Sequence, residues 1–253
     1  MKSKRYKSIL LDVDGTIVPI GPHTVPSKKV VRYLNKAKSK VIVSLVSGRP
    51  VSWLTDIFRL LNITNPCIVN GGSQIIDPKT QKVLWEKKID KKSLAKILKI
   101  IQNNKLSFLV NDGGVEYRNP KILKFSRPIA IQVSYLNSGK ISKYLEKFNK
   151  IPNITAHSFP SWGKNKVDIY ITHEKATKRS AVEKLAALLK IDISDMIAVG
   201  DGENDVPLLI GCGLKIAMGN AAEKLKKIAD YVAPSIDNHG VAHIIEKFIL
   251  HPN

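Results

Sequence analysis

The sequence predicts an α/β protein: a Rossmann-like parallel-sheet core with an inserted α+β cap domain. Three observations carry this expectation. In the first third of the chain, short, near-continuous apolar runs alternate with helical patterns, as in parallel strands covered on both faces. The same alternation returns in the last third. Between them, a helix, several closely spaced strands, a second helix and a strand pair read as an antiparallel α+β unit.

Taken in order, Ser8–Val13 reads as a buried strand, Ser27–Lys38 as a basic amphipathic helix and Val41–Val46 as a second buried strand. Ser52–Leu61 is expected to be helical, with Trp53 and Phe58 packing inward, and Cys67–Val69 is a third short strand entering the turn Asn70-Gly71-Gly72. In the middle, Lys92–Asn103 is helical, with Leu94, Ile97, Leu98 and Ile101 on one stripe. Strands are expected at Leu106–Val110, Val115–Arg118 and Ile129–Tyr135, a helix at Ile141–Phe148, and strands at Ile154–Phe159 and Val167–Thr172. The last third gives a helix from about Lys175 to Lys190, strands at Met196–Val199 and Leu214–Met218, and helices at Asn204–Ile210, Ala221–Ile228 and Val241–Leu250. The core is therefore expected at residues 1–80 and 175–253, interrupted by a module at 82–173.

The composition narrows the class. The chain has 253 residues, 43% of them hydrophobic and 25% charged, which excludes a disordered chain. No stretch approaches eighteen consecutive apolar residues, so no membrane-spanning helix is expected. Lys2, Lys4, Arg5 and Lys7 before Ile9-Leu10-Leu11 resemble the start of a signal peptide, but Asp12 and Asp14 end the apolar run early. Two cysteines give no disulfide framework and point to a reducing cytoplasm. The 41 Lys+Arg against 21 Asp+Glu give a formal charge of +20, which raises a nucleic-acid reading.

Four polar clusters sit where a core strand gives way to a loop or helix, the edge at which open α/β sheets bind ligands. In Asp12-Val13-Asp14-Gly15-Thr16 the two carboxylates share a face. One can attack phosphorus and form an aspartyl-phosphate, and the other can protonate a leaving group and then deprotonate water. The same residues are also compatible with a strand-end turn bearing solvated aspartates. Ser47-Gly48-Arg49 offers a hydroxyl and backbone N–H groups suited to a phosphate; in isolation it reads better as a helix cap. Lys178, near a helix start, opposes the macrodipole; alone it is a solvated cation. In Gly200-Asp201-Gly202-Glu203-Asn204-Asp205, Asp201 and Asp205 supply the oxygen donors that Mg²⁺ requires. Calcium would suit such oxygens too, but the spacing of an EF-hand is missing.

In order and context, these clusters are similar to the motifs of the haloacid dehalogenase superfamily, and the sequence closely resembles its Cof-like, type IIB phosphatases almost end to end. Asp12–Thr16, Ser47–Arg49, Lys178 and Gly200–Asp205 resemble motifs I to IV. Asn70-Gly71-Gly72 resembles the family's Asn-Gly-Ala turn, and Ala217–Ala221 and Asn238–Val241 resemble its C-terminal segments. The inserted module falls where the family carries its C2-type cap. The resemblance implies Asp12 as nucleophile and Asp14 as general acid/base. It implies phosphoryl contacts from Ser47, Gly48, Lys178 and Asn204. It places Mg²⁺ on Asp12, the carbonyl of Asp14, Asp201 and Asp205. The implied reaction is hydrolysis of a small phosphorylated metabolite, with sugar phosphates the first guess. Arg179 stands where a glycine often follows the lysine.

Arg49, Tyr117, His157 and Trp162 are further candidates for substrate contact, although surface or cap-core roles suit Tyr117, His157 and Trp162 better. His239 and His243 are four apart, but Gly240 lies between them and helix-start polarity suits them better than a metal. Cys67 reads as a buried, inert thiol. A phosphomannomutase-like phosphotransferase is the alternative within the family, and the form of the last motif argues against it. No basic-aromatic strand motif or helix-turn-helix signature supports nucleic-acid binding. Residues 81–176 hold 19 Lys+Arg against 7 Asp+Glu. Either these cations decorate solvated faces, or the field of the cap draws in anionic substrates.

Overall fold

The computed structural model describes residues 5–21, 23–121, 124–161 and 166–252. The chain forms two compact units. The first runs through Trp85 and resumes at Thr177, and the second spans Glu86–Ala176.

The first unit opens with β1 (Ser8–Asp12), every residue of which is buried. Then follow α1 (Lys28–Ala37), β2 (Ile42–Val46), α2 (Thr55–Leu60), β3 (Cys67–Val69), β4 (Gln74–Ile76) and β5 (Val83–Glu86). Ser27 caps α1 by accepting a hydrogen bond from Val30 N, which satisfies one of the orphan donors of the first turn. The helix expected over Ser52–Leu61 is a 3₁₀ turn, Val51–Trp53, followed by the shorter α2. Phe58 packs inward as expected, but Trp53 is 53% exposed, because the 3₁₀ turn does not share the buried face of α2.

The second unit contains α3 (Lys91–Asn103), β6 (Phe108–Asp112), β7 (Val115–Arg118), β8 (Pro128–Asn137), α4 (Ile141–Asn149), β9 (Ile154–Pro160) and β10 (Lys166–His173). Its five strands form one antiparallel sheet in the order β7-β6-β8-β10-β9. The stripe Leu94, Ile97, Leu98 and Ile101 of α3 and Tyr144 and Phe148 of α4 pack in one cluster with Ile131, Val133, Ile169 and Ile171 of the sheet. Strand residues alternate faces, so Gln132, Ser134, Asp168 and Thr172 lie on the face opposite that cluster.

The first unit resumes with α5 (Lys178–Leu189), β11 (Met196–Gly200), α6 (Val206–Leu209), β12 (Leu214–Ala217), α7 (Glu223–Lys226), β13 (Tyr231–Val232) and α8 (Gly240–Ile245). Its eight strands run in the order β13-β12-β11-β1-β2-β3-β4-β5. The pairs from β13 to β3 are parallel, and β4 is antiparallel to β3. This is the α/β class expected, with a separate antiparallel sheet in the second unit. Three of its strands, β4, β5 and β13, were not expected from the sequence; each is four residues or fewer. The site depends on one feature of this order. β1 lies between β11 and β2, with Leu11 opposite both Val199 and Leu45, so three parallel strands end side by side.

Phe148 is fully buried in the second unit. Phe148→Ala is expected to cost about 3–5 kcal/mol, seen as a lower urea midpoint by circular dichroism.

Candidate active site

At the carboxyl end of β1 the chain delivers Asp12, and at the end of the adjacent β11 it delivers Asp201. Asp205 follows on the 3₁₀ turn Glu203–Asp205. Oxygens of Asp12, Asp201 and Asp205 all lie within 4.8 Å of one another. Lys178, the first residue of α5, reaches into this group. Its Nζ lies 2.5 Å from Asp12 Oδ1 and 2.5 Å from Asp205 Oδ1. The lysine is 4% exposed and Asp205 1%, so the sequence-level alternative of a solvated cation does not hold.

The surroundings fix each carboxylate. Asp205 Oδ2 accepts from the backbone N–H of Asp201 and of Gly202, both at 3.0 Å. Thr16 donates its hydroxyl to Asp201 Oδ1 at 3.1 Å. Asn220 donates to the carbonyl of Gly15 at 2.9 Å and accepts from Ile236 N at 2.9 Å, tying the loop after β1 to the C-terminal segment. Gly15 has φ +80, and a Cβ there would sit 2.1 Å from Asp201 Oδ2; only glycine permits both the turn and the approach. Neither Thr16 nor Asn220 was singled out from the sequence. The signals were present, in the threonine closing the first cluster and in the Gly219-Asn220-Ala221 segment.

The electrostatics are unbalanced towards negative charge. Burial pushes the Asp12 carboxyl well above the usual range, and the Asp205 charge pushes the same way against the pull of Lys178. Asp201 is pushed up to about 6, by burial first and then by Asp205, with the Thr16 hydrogen bond and Lys178 opposing. Burial alone would lower Lys178, but the charges of Asp12 and Asp205 outweigh it and raise the amine. Three crowded carboxylates share one ammonium. Hard oxygen donors in negative excess are what a divalent cation of the Mg²⁺ kind accepts, and Asp12, Asp201 and Asp205 could hold it.

The loop after β2 supplies the next group. Ser47 is 1% exposed, and its hydroxyl accepts from Arg49 N at 3.1 Å, keeping its own proton for an incoming oxygen. The Asn70-Gly71-Gly72 turn braces this loop, with Asn70 N donating to Arg49 O and Gly71 N to Ser47 O, both at 3.0 Å. Gly48 is exposed with open space beside it. Asn204 is exposed, its side-chain oxygen folded over Gly202. The Arg49 guanidinium grips Asp14, with Nε 2.8 Å from Oδ2 and Nη2 2.5 Å from Oδ1. The sequence offered Arg49 only as a substrate contact.

Tyr117 and His157 belong to the second unit; Tyr117 packs on Phe125 at 6.1 Å and His157 on Tyr170 at 5.7 Å. Trp162 lies outside the described residues. His239 bonds Ser27 and His243 bonds Tyr231, each at 2.9 Å, so the two imidazoles have separate partners. Burial pushes the Cys67 thiol up to about 12, in keeping with an inert side chain.

Comparison with known proteins places this geometry. A family model described as haloacid dehalogenase-like hydrolase matches residues 9–127 and 115–245. The chain is 28% identical over 243 residues to the phosphoglycolate phosphatase of Sulfurisphaera tokodaii, covering 95% of this chain and 93% of that one. It is 28% identical over 288 residues to phosphatase YwpJ of Bacillus subtilis, covering 96% and 100%. Among solved structures, BT1666 of Bacteroides thetaiotaomicron, from a study of phosphatases of the HAD superfamily, superposes with a TM-score of 0.81 at 21% identity, covering 98% and 96%. The HAD subclass IIB sugar phosphatase BT4131 gives 0.77 at 19% identity, covering 95% and 98%. These two likenesses establish the fold.

The raised Asp201 carboxyl yields a test that needs no turnover. Folded Asp201 holds its proton up to about pH 6, well above the usual carboxylate range, so as pH rises through that interval the cost of ionising it is taken from the stability of the metal-free fold. In chelator, Asp201→Asn is expected to melt higher than wild type at about pH 7.5, the gap shrinking towards about pH 5. With excess Mg²⁺ at the higher pH the order is expected to reverse. Thermal melts check this, and a gap independent of both pH and metal would contradict it.

Proposed function

This chain belongs to the haloacid dehalogenase-like hydrolases, and on that premise we propose that it hydrolyses a small phosphorylated metabolite through an aspartyl-phosphate on Asp12. Its class within the family is phosphatase. The observation that carries the mechanistic reading is the Lys178 ammonium held between Asp12 and Asp205 at the ends of two adjacent strands, with Asp14 two residues beyond Asp12.

In the first step a carboxylate oxygen of Asp12 attacks phosphorus, the bond from phosphorus to the ester oxygen breaks, and Asp14 gives its proton to that oxygen. In the second step a water oxygen attacks phosphorus and its proton passes to Asp14. The bond to Asp12 then breaks, returning the carboxylate and releasing inorganic phosphate. Lys178, the Ser47 hydroxyl and the Gly48 N–H neutralise and orient the phosphoryl oxygens, and Asn204 offers a further amide. Such positioning supplies most of the catalysis in phosphoryl transfer. A divalent cation, which we take to be Mg²⁺, would be held by Asp12, the Asp14 carbonyl, Asp201 and Asp205, and would supply further positive charge to the transferring group.

Sugar phosphates are our first choice of substrate. The sheet face of the second unit opposite its helices carries Gln132 donating to Asp168 at 2.7 Å, beside Ser134. Amides, hydroxyls and a carboxylate pair with sugar hydroxyls rather than with a second anion. The solvent side of α3, by contrast, carries exposed Lys92, Lys96 and Lys99. This favours the reading in which the cations decorate solvated faces. Among the described residues no helix is long and apolar enough to cross a membrane, and two buried free thiols suit a reducing cytoplasm.

Asp12→Asn is expected to abolish turnover of p-nitrophenyl phosphate while the circular dichroism spectrum and melting temperature stay near those of wild type. Retained activity in that variant would sink the mechanism. A metabolite panel assayed with and without Mg²⁺ is expected to favour neutral-bodied sugar phosphates and to lose all turnover in chelator.

A further inference from the structure

Arg49 is fastened at both ends. Its backbone N–H donates to Ser47 Oγ at 3.1 Å and its carbonyl accepts from Asn70 N at 3.0 Å. Its guanidinium pairs with both oxygens of Asp14, and Nη2 also donates to the carbonyl of Gly21 at 2.9 Å. The Gly21 carbonyl further accepts the Thr24 hydroxyl at 3.1 Å. One side chain therefore closes the segment 14–21 upon the loop after β2. Among the described residues, Arg49 is the one hydrogen-bond donor to the Asp14 side chain. The Arg49 side chain is 12% exposed and that of Asp14 34%, so this is a partly sheltered pair rather than a loose surface contact.

A planar fork that donates to both oxygens of a carboxylate fixes its plane and its direction, which an ammonium cannot do. Proton transfer to a leaving oxygen, and later from water, depends on that direction. We propose that Arg49 is a positioning residue for Asp14, holding it in the orientation from which both proton transfers are made, rather than a cation that binds substrate. The inference rests on the aspartyl-phosphate reading above.

The two half-reactions let the idea be tested. The p-nitrophenolate group leaves as an anion without a proton, so attack by Asp12 on p-nitrophenyl phosphate is insensitive to Asp14. The second step, in which water gives its proton to Asp14 and the phosphorus–Asp12 bond breaks, is not. A sugar phosphate leaves as an alkoxide and needs the proton in the first step as well.

Arg49→Gln is expected to lower kcat about 10- to 100-fold, with KM for a sugar phosphate changed less than about threefold and KM for p-nitrophenyl phosphate falling along with kcat. Labelled phosphoenzyme should accumulate in rapid acid quench from radiolabelled p-nitrophenyl phosphate, but not from a labelled sugar phosphate. Arg49→Lys keeps the charge and is expected to show the same pattern; it serves as the folded variant if the glutamine substitution lowers the melting temperature. A large rise in KM with kcat kept would overturn the proposal in favour of substrate binding. Equal losses on both substrates without accumulation, or wild-type kinetics in both variants, would also overturn it. Label trapped in wild type but unchanged in the variants removes the positioning role alone. Label absent from every protein, together with retained turnover in Asp12→Asn, removes the aspartyl-phosphate reading and this inference with it.

Discussion

The buried ammonium of Lys178 is the interaction on which the site depends. Taking a charge out of water costs several kcal/mol unless partners replace the lost hydration. Here Asp12 and Asp205 do so from opposite sides. The three residues are remote in sequence: Asp12 ends β1, Asp205 follows β11, and Lys178 begins α5. They meet only because β1 and β11 are parallel neighbours in register and α5 starts at the same edge. A lysine at a helix start is opposed by the macrodipole, and the two carboxylates remove that conflict. The sheet order and the chemistry are in this sense one constraint.

The pairing satisfies the lysine but not the carboxylates. Asp12, Asp14, Asp201 and Asp205 face two cationic side chains, Lys178 and Arg49. Burial first, and then the neighbouring Asp205 charge, raises the carboxyls of Asp12 and Asp201. A phosphate dianion could not approach such a surface unaided. A divalent cation held among the carboxylates would offset that excess, and Lys178 would then present net attraction to phosphoryl oxygens. Binding is therefore expected to be ordered by charge, metal before phosphate. The glycines serve the same end by letting carboxylates crowd: a Cβ on Gly200 would lie 2.6 Å from the Asp205 side chain, and one on Gly15 would strike Asp201.

How much of this the sequence discloses depends on the range of the interaction concerned. Strands such as Ser8–Asp12 and Met196–Gly200, buried throughout, are legible because continuous apolar runs have no other use at that length. The short strands Gln74–Ile76 and Tyr231–Val232 are not, since three residues or fewer make no period. Trp53 misleads because its burial depends on whether one turn is wound as α or 3₁₀. Asp12, Asp14, Asp201 and Lys178 are recognisable together through family resemblance, whereas Lys178 alone carries no sign of burial. The fork from Arg49 to Asp14 leaves no trace in local pattern, because it joins residues 35 positions apart across two strand ends.

The charge of the chain separates encounter from recognition. Lysines of α3 lie towards solvent, where salt screens them within about 10 Å and where a field raises encounter rates more than it selects partners. On the opposite sheet face Asp168 and Ser134 are buried, at 2% and 5% exposure, while Gln132 is half-buried and His157 exposed. Polar groups sheltered to that degree discriminate strongly, because a ligand that leaves one of them unpaired forfeits its full desolvation cost. A surplus of 20 positive charges can bring many anions to this protein. On the proposed reading, the amide, hydroxyl and carboxylate groups of that face would select among them.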